Sequence, residues 1–301
     1  MTGIKQGVWR IMAFAEINRE RLAVVSVIGE IHAPTIRPGY IVATDGGVPR
    51  VLPRVGGISY NIKIGDGVYG MEGDHLEPGV SVKNKDAEEN AALNTLSCVG
   101  NPAYVVSGDA KGERGLVTGT HGGIEHVLVY FEKAVLEKLT VGDKIQIRAC
   151  GQGMKIKGFE DAVACMNTAP DLFDRLRVEV KGGKLVVPVA ATVPAHLMGS
   201  GMGSASAYAG DYDIMTADAG EKARLGLDKL RYGDIVLLED CDNVFGRGYR
   251  KGARAVGVVV HGDCILAGHG PGVTTLLASR TAVIEGKIDA NANLADFWGV
   301  Q

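Results

Sequence analysis

Seven histidines, His32, His75, His121, His126, His196, His261 and His269, carry most of the chemical promise of this 301-residue chain. Five of them stand in turns flanked by glycine or acid, and turns held by a rigid scaffold are where binding and catalysis concentrate. The stretch Met71-Glu-Gly-Asp-His-Leu-Glu-Pro-Gly79 sets Glu72, Asp74, His75 and Glu77 within six residues. Carboxylate beside imidazole suits a divalent metal or an acid/base pair. A solvated acidic turn is the structural alternative.

A second stretch, Ser107 to His126, holds Asp109, Lys111, Arg114, His121, Glu125 and His126 among six glycines. Glycine lets backbone approach a ligand closely and present N–H groups to an anion, and a glycine-rich surface loop is the plainer alternative. Gly122-Gly123 argues against the single helix that an HExxH metal motif requires. Glu125 and His126, as strand neighbours, point to opposite faces, so at most one faces a given pocket.

The third stretch, Pro194 to Asp213, is dominated by Gly, Ser and Ala, with His196 at one end and Asp211 and Asp213 at the other. Its backbone amides suit an oxyanion or phosphate. Ser200 and Ser204 lack the GxSxG elbow of serine hydrolases, and no GxGxxG dinucleotide loop follows a strand. The fourth group is Glu239-Asp-Cys-Asp242, His261-Gly-Asp263 and Gly268-His-Gly-Pro-Gly272. His269 has no neighbouring side chain to pack on. Cys241 and Cys264 lie beside acids, which raises a thiol's pKa, so neither is read as a nucleophile. Gly246-Arg-Gly-Tyr-Arg-Lys-Gly252 is a compact basic loop suited to a carboxylate or phosphate.

The elements that must position these groups read as short Val- and Ile-rich strands bounded by Gly, Pro or Asp. They are expected over 22–31, 39–44, 58–64, 103–107, 126–131, 144–148, 177–180, 185–190, 235–239, 255–260, 273–278 and 282–285. Helices are expected over 85–96, 132–139, 160–167, 172–176 and 221–230. Helices do not alternate with strands, so the fold class is mostly β, or α+β, in two β-rich halves with barrel- or sandwich-like sheets and a few short helices. The halves are expected over 1–165 and 166–301. Two segments share one rhythm, EKAVLEKLTVGDKIQI from Glu132 and EKARLGLDKLRYGDIVLL from Glu221: a helix, a Gly-Asp turn, a strand.

Composition narrows the function classes. The net charge of −3 argues against a nucleic-acid binder working through a basic surface. No apolar run approaches the roughly 18 residues of a membrane helix, and Met1–Arg10 has no signal-peptide pattern. Five cysteines without a CxxC pair fit free thiols in a reducing cytoplasm. Forty-three glycines are about twice the usual share.

SGDAKGERGLVTGTHGGIEHVLVYF and VVVHGDCILAGHGPGVTTLLAS, with PVAATVPAHLMGSGMG between them, resemble the prokaryotic family labelled domain of unknown function 4438, over about Val24 to Glu285. That family has no assigned activity, so the resemblance implies kinship and supplies no catalytic residue. VVPVAATVPAHL followed by AGDYD is similar in rhythm to the acetamidase/formamidase family, which implies a β-rich fold and hydrolysis of small amides. A Met-Gly-Ser-Gly run stands here in place of that family's neighbouring acid and His.

The residues therefore lead to a metal-dependent hydrolase of a small polar molecule, with an amide or cyclic amide as the preferred substrate. His121, His196 and His261 are the expected ligands of zinc, manganese or iron, with His75, Asp211, Asp74, Asp109 and His269 as alternatives. Glu125 or Asp109 is the expected base, and Lys111 the expected oxyanion partner. The other reading is a non-catalytic binder of a phosphate- or carboxylate-bearing metabolite. Base rates favour a homo-oligomer.

Overall fold

The computed structural model describes residues 13–36, 42–43, 49–264 and 266–300. Its first half is a closed barrel of six antiparallel strands. The order is Val25–Ile31, Lys144–Ala149, Pro102–Val105, Arg114–His121, His126–Tyr130 and Gly79–Lys83, which pairs back to Val25–Ile31. Closure removes the exposed edges that a sheet otherwise presents. Lys144–Ala149 alternates exposed and buried residues along its whole length, as its sequence pattern predicts.

The helix Ala87–Leu96 lies against this barrel. Asp86 caps it by accepting from the Glu88 and Glu89 amides, and those two acids favour its positive end. Its Asn90 and Asn94 side chains both donate to the Glu125 carbonyl, at 3.1 Å each. They hold Glu125 at a positive φ and so fix the turn between His121 and His126.

The second half is a sandwich. Ala164–Cys165, Gly272–Ser279, Gly248–Val259, Ile235–Asp242 and Ala191–Val193 form one sheet, with Tyr212–Asp213 added beside Gly272–Val273. Ala13–Phe14, Glu179–Lys181, Lys184–Val189 and Ile284–Ile288 form the other. The chain passes from one sheet to the other between Val189 and Ala191. Ile235 and Leu237 point into the core shared with Val187 and Val189, while Val236 and Leu238 pack on Tyr212, Ile214 and Val273. This is the period-two alternation of a strand buried on both faces. Leu128 of the barrel joins the same core as Val256, Val258 and Leu276.

Both Gly-Asp turns form as expected, and a third appears at Gly65-Asp66. The glycines take φ of 93°, 94° and 86° at Gly65, Gly142 and Gly233. In each case the aspartate accepts the amide three residues upstream, from Lys63, Thr140 and Arg231 at 2.8–2.9 Å. The motif is a local turn device, satisfied by its own side chain.

Two expectations are corrected, and one helix is added. The Ser107–His126 stretch is not a surface loop: Arg114–His121 is a buried strand. A Cβ on Gly119 would lie 2.1 Å from Val260 Cγ1, so glycine there serves close packing. Residues 160–167 form turns and the short strand Ala164–Cys165 rather than a helix, because Ala164–Cys165 pairs with Gly272–Ser279 and Val163 and Cys165 pack into the core beside Leu276 and Leu277. The helix Leu294–Trp298 escapes pattern reading because five residues span little more than one turn. The strand expected over 39–44 lies outside the described residues except for Val42–Ala43. No helix among the described residues is long and apolar enough to cross a membrane.

Candidate metal centre

Six of the seven histidines gather at the seam between barrel and sandwich. His121 ends one barrel strand and His126 begins the next. His75 follows Asp74 in the acidic turn, His261 follows the strand Gly248–Val259, and His269 sits before Gly272–Ser279. Asp211 and Asp213 come from the segment that pairs with Gly272–Val273. The seam is stitched where Thr120 donates to the Gly210 carbonyl and Thr274 donates to the Thr120 carbonyl.

Three groups of side chains bring ligand atoms within 4.8 Å of one another: His121, Asp211 and His261; His75, Asp213 and His261; and His75, Cys264 and His269. His261 Nε2 lies 2.8 Å from Asp211 Oδ2 and 3.3 Å from Asp213 Oδ1. Despite that proximity the ring N–H is not directed at Asp211 Oδ2, and both atoms are buried without a hydrogen-bond partner. A carboxylate oxygen and a ring nitrogen buried this close without a hydrogen bond of good geometry between them form an arrangement that a cation, in place of the ring proton, satisfies.

The far sides of the rings are held. His121 Nδ1 donates to Glu77 Oε1 at 2.6 Å, and His126 Nδ1 donates to both Glu77 oxygens at 3.0 Å. Glu77 also accepts from the Gly56 amide and the Ser81 hydroxyl. His261 Nδ1 donates to the Gly262 carbonyl at 2.9 Å. His75 Nδ1 donates to Asp74 Oδ1 at 3.1 Å, and Arg54 Nε donates to Asp74 Oδ2 at 2.8 Å. These tautomers follow from the acceptors present. Each leaves Nε2 of His121, His261 and His75 turned toward the cluster, which is how metal-ligating histidines are normally oriented.

Burial opposes charge on His75, His121 and His261. At His261 the carboxylates of Asp211 and Asp213 outweigh it and hold the ring well above its ordinary pKa. At His75 burial again loses, to Asp213 and Asp74, and the ring is raised. At His121 burial and the neighbouring His261 lower the pKa, so the ring is neutral and its Nε2 lone pair is free to bind a metal. Glu77, though fully buried, is held well below the usual carboxylate range by His126 and His121.

A cavity of about 750 Å³ opens onto the cluster. His75, His121, Asp211, Asp213 and His269 line its floor, and Glu125, Ser200 and Arg247 its walls. Arg247 is buried, donates to the Asp211 and Ala209 carbonyls, leaves its Nε unpartnered, and has no carboxylate within ion-pair distance among the described residues.

Of the expected ligands, His121, His261, His75 and Asp211 converge, as does His269, while Asp74 stands behind His75 and accepts from Arg54. His196 does not converge: it follows the strand Ala191–Val193 onto the surface, where its half-exposed ring meets Glu221 Oε1 at 3.0 Å. Asp109 and Lys111 are exposed in the turn at the opposite end of Arg114–His121. Eight strand residues span about 23 Å, which separates both from His121. Glu125 stands at the cavity rim, 3.9 Å from Lys83 Nζ. Asp213, Glu77 and Arg247 lie in stretches that the sequence marks, but they stand outside the expected set of ligands and bases. The Asp211-x-Asp213 spacing was the usable signal, since residues two apart on a strand share a face.

Residues 40–174 match the family model described as "Domain of unknown function (DUF4438), N-terminal", and residues 175–298 match its C-terminal counterpart. The chain is also similar to a protein of known structure, reported as "Crystal structure of TM1086". The two share 50% identity over 95% of this chain and 99% of that one, with a TM-score of 0.89. No curated protein matches.

Proposed function

The chain belongs to the DUF4438 family, a domain of unknown function, and from the chemistry of its buried cluster we propose that it is a metal-dependent hydrolase of a small polar substrate. The observation that carries this is the convergence of His121, Asp211 and His261 on one point at the floor of a cavity, with Asp211 Oδ2 and His261 Nε2 buried and unpartnered. His121, Asp211 and His261 would hold a divalent ion, which would supply Lewis acidity toward a substrate carbonyl and toward water. Glu125 at the rim takes the proton from the attacking water. The water oxygen bonds to the carbonyl carbon, the C–N bond breaks, and the proton passes to the leaving nitrogen. Arg247 offers a cation for a carbonyl oxygen or a carboxylate of the substrate. The preference for an amide or cyclic amide rests on the rhythm that VVPVAATVPAHL and AGDYD share with acetamidases and formamidases, from which the Met-Gly-Ser-Gly run departs.

The unpartnered Arg247 Nε favours a second reading, a non-catalytic binder of an anionic metabolite. Metal content separates the two. Protein purified without tag or chelator is expected to carry zinc, manganese or iron, and to hydrolyse members of a panel of small amides and lactams. Stripped protein is expected to gain about 2.7 kcal/mol of stability at a metal concentration a hundredfold above Kd. His121→Ala and His261→Ala are expected to lose that gain, and His196→Ala to keep it. Absence of metal together with no thermal response to added ions overturns the proposal in favour of the binder.

Metal binding must also displace protons. Because the folded pKa of His261 is raised, its proton stabilises the metal-free fold at low pH, and that contribution is lost as pH rises through the folded value. Metal affinity is therefore expected to rise with pH below that value, by roughly tenfold per unit for each proton displaced. Isothermal titration in buffers of different ionisation enthalpy measures the protons released. A Kd independent of pH from 5.5 to 8 would contradict the assignment of His261 as a ligand.

A further inference from the structure

We propose that the cluster is a two-metal centre, with a second ion held by His75, Asp213 and His269 beside the ion held by His121, Asp211 and His261. The proposal rests on the metal reading above and extends it. His261 has one ligand atom to give, because its Nδ1 is committed to the Gly262 carbonyl. The His121–Asp211–His261 group uses that atom, so the remaining donors must be judged without it. They form a triangle of their own. His75 Nε2 lies 3.1 Å from His269 Nδ1, His269 Nδ1 lies 2.8 Å from Asp213 Oδ2, and His75 Nε2 lies 3.5 Å from Asp213 Oδ2. Ligands about 2.0–2.1 Å from a tetrahedral ion sit about 3.3 Å apart, which matches this triangle.

The two sets have the same composition, two imidazoles and one carboxylate. They are supported alike: Glu77 holds His121, the Gly262 carbonyl holds His261, and Asp74 holds His75. Asp213 joins them. Its Oδ2 belongs to the second triangle while its Oδ1 lies 3.3 Å from His261 Nε2 in the first. A carboxylate with one oxygen in each set is a bridge, and bridged ions in hydrolytic centres lie about 3.5–4 Å apart. Charge agrees. Asp74 is paired with Arg54, whereas Glu77, Asp211 and Asp213 are buried carboxylates at the same cluster whose ion-pair partners among the described residues are histidines, so added positive charge is favoured there. A two-ion centre clamps both the attacking and the leaving atoms of a hydrolysis.

The full-length protein, stripped with chelator and reconstituted with Mn(II), provides the test. Elemental analysis after desalting is expected to give two ions per chain. Electron paramagnetic resonance is expected to show an exchange-coupled multiline signal at two equivalents and not at one. His269 is partly exposed in a glycine turn, so His269→Ala is expected to stay folded, to bind one ion, and to lose the coupled signal. One ion in the unmodified protein overturns the second site and leaves the single-metal reading intact, whereas two coupled ions retained in His269→Ala overturn the second site as assigned here to His75, Asp213 and His269. No ion at all overturns both.

Discussion

Glu77→Gln is expected to weaken metal binding about 10–100-fold without replacing a metal ligand. Glu77 is buried, and each of its oxygens is fully used. Oε1 accepts from His121 and His126, and Oε2 accepts from Gly56, Ser81 and His126. Glutamine keeps the shape but replaces one acceptor with an NH2 group, which must face donors on whichever side it turns. His121 then loses the carboxylate that keeps its proton on Nδ1 and its Nε2 open to a metal. The variant also breaks a buried charge network, a change that costs about 3–5 kcal/mol when one partner of a buried pair is removed. Denaturant unfolding of the stripped protein and metal titration of the folded protein read the two effects separately. If Glu77→Gln binds metal as tightly as the unmodified chain, His121 is not held by Glu77 for ligation.

Gly272→Ala is expected to abolish metal binding through a single methyl group. A Cβ at Gly272 would stand 1.9 Å from Asp211 Oδ2 and 2.2 Å from His261 Nε2, the two unpartnered atoms of the cluster. Gly272 pairs with Asp213 across the sheet, so the backbone cannot retreat without disturbing that second carboxylate. The side chains must turn away instead, taking both ligand atoms with them. Affinity is expected to fall on the order of a hundredfold or more. Overpacking is expected to cost about 1–3 kcal/mol of stability. Gly248→Ala is the control: its Cβ meets nothing within 4 Å, and it begins the neighbouring strand Gly248–Val259. A Gly272→Ala protein with unchanged metal content would mean that Asp211 and His261 do not bind the ion.

Local chemistry was legible in the amino-acid sequence because it is written in neighbouring residues. The alternation of Lys144–Ala149, the Asp86-capped helix Ala87–Leu96 and the Gly-Asp turns each depend on contacts within a few positions. The placement of His75, His121, His261 and His269 in glycine- or acid-flanked turns marked them as site residues for the same reason. Sequence alone did not set aside His196, which stands between Ala195 and Leu197 at the head of a glycine- and serine-rich stretch and ends on the surface beside Glu221. Nor did it separate His121 from Asp109 and Lys111, which share its glycine-rich stretch. Those glycines looked like a loop, but Gly119 is a packing contact with Val260, and the strand it permits carries Asp109 and Lys111 to the far end of the barrel. Only the tertiary structure decided which acids meet which imidazoles, because His75 and His269 lie 194 positions apart and touch only when the barrel closes and docks on the sandwich. Side-chain type is a property of the chain, whereas convergence of ligand atoms is a property of strand pairings that no local pattern encodes.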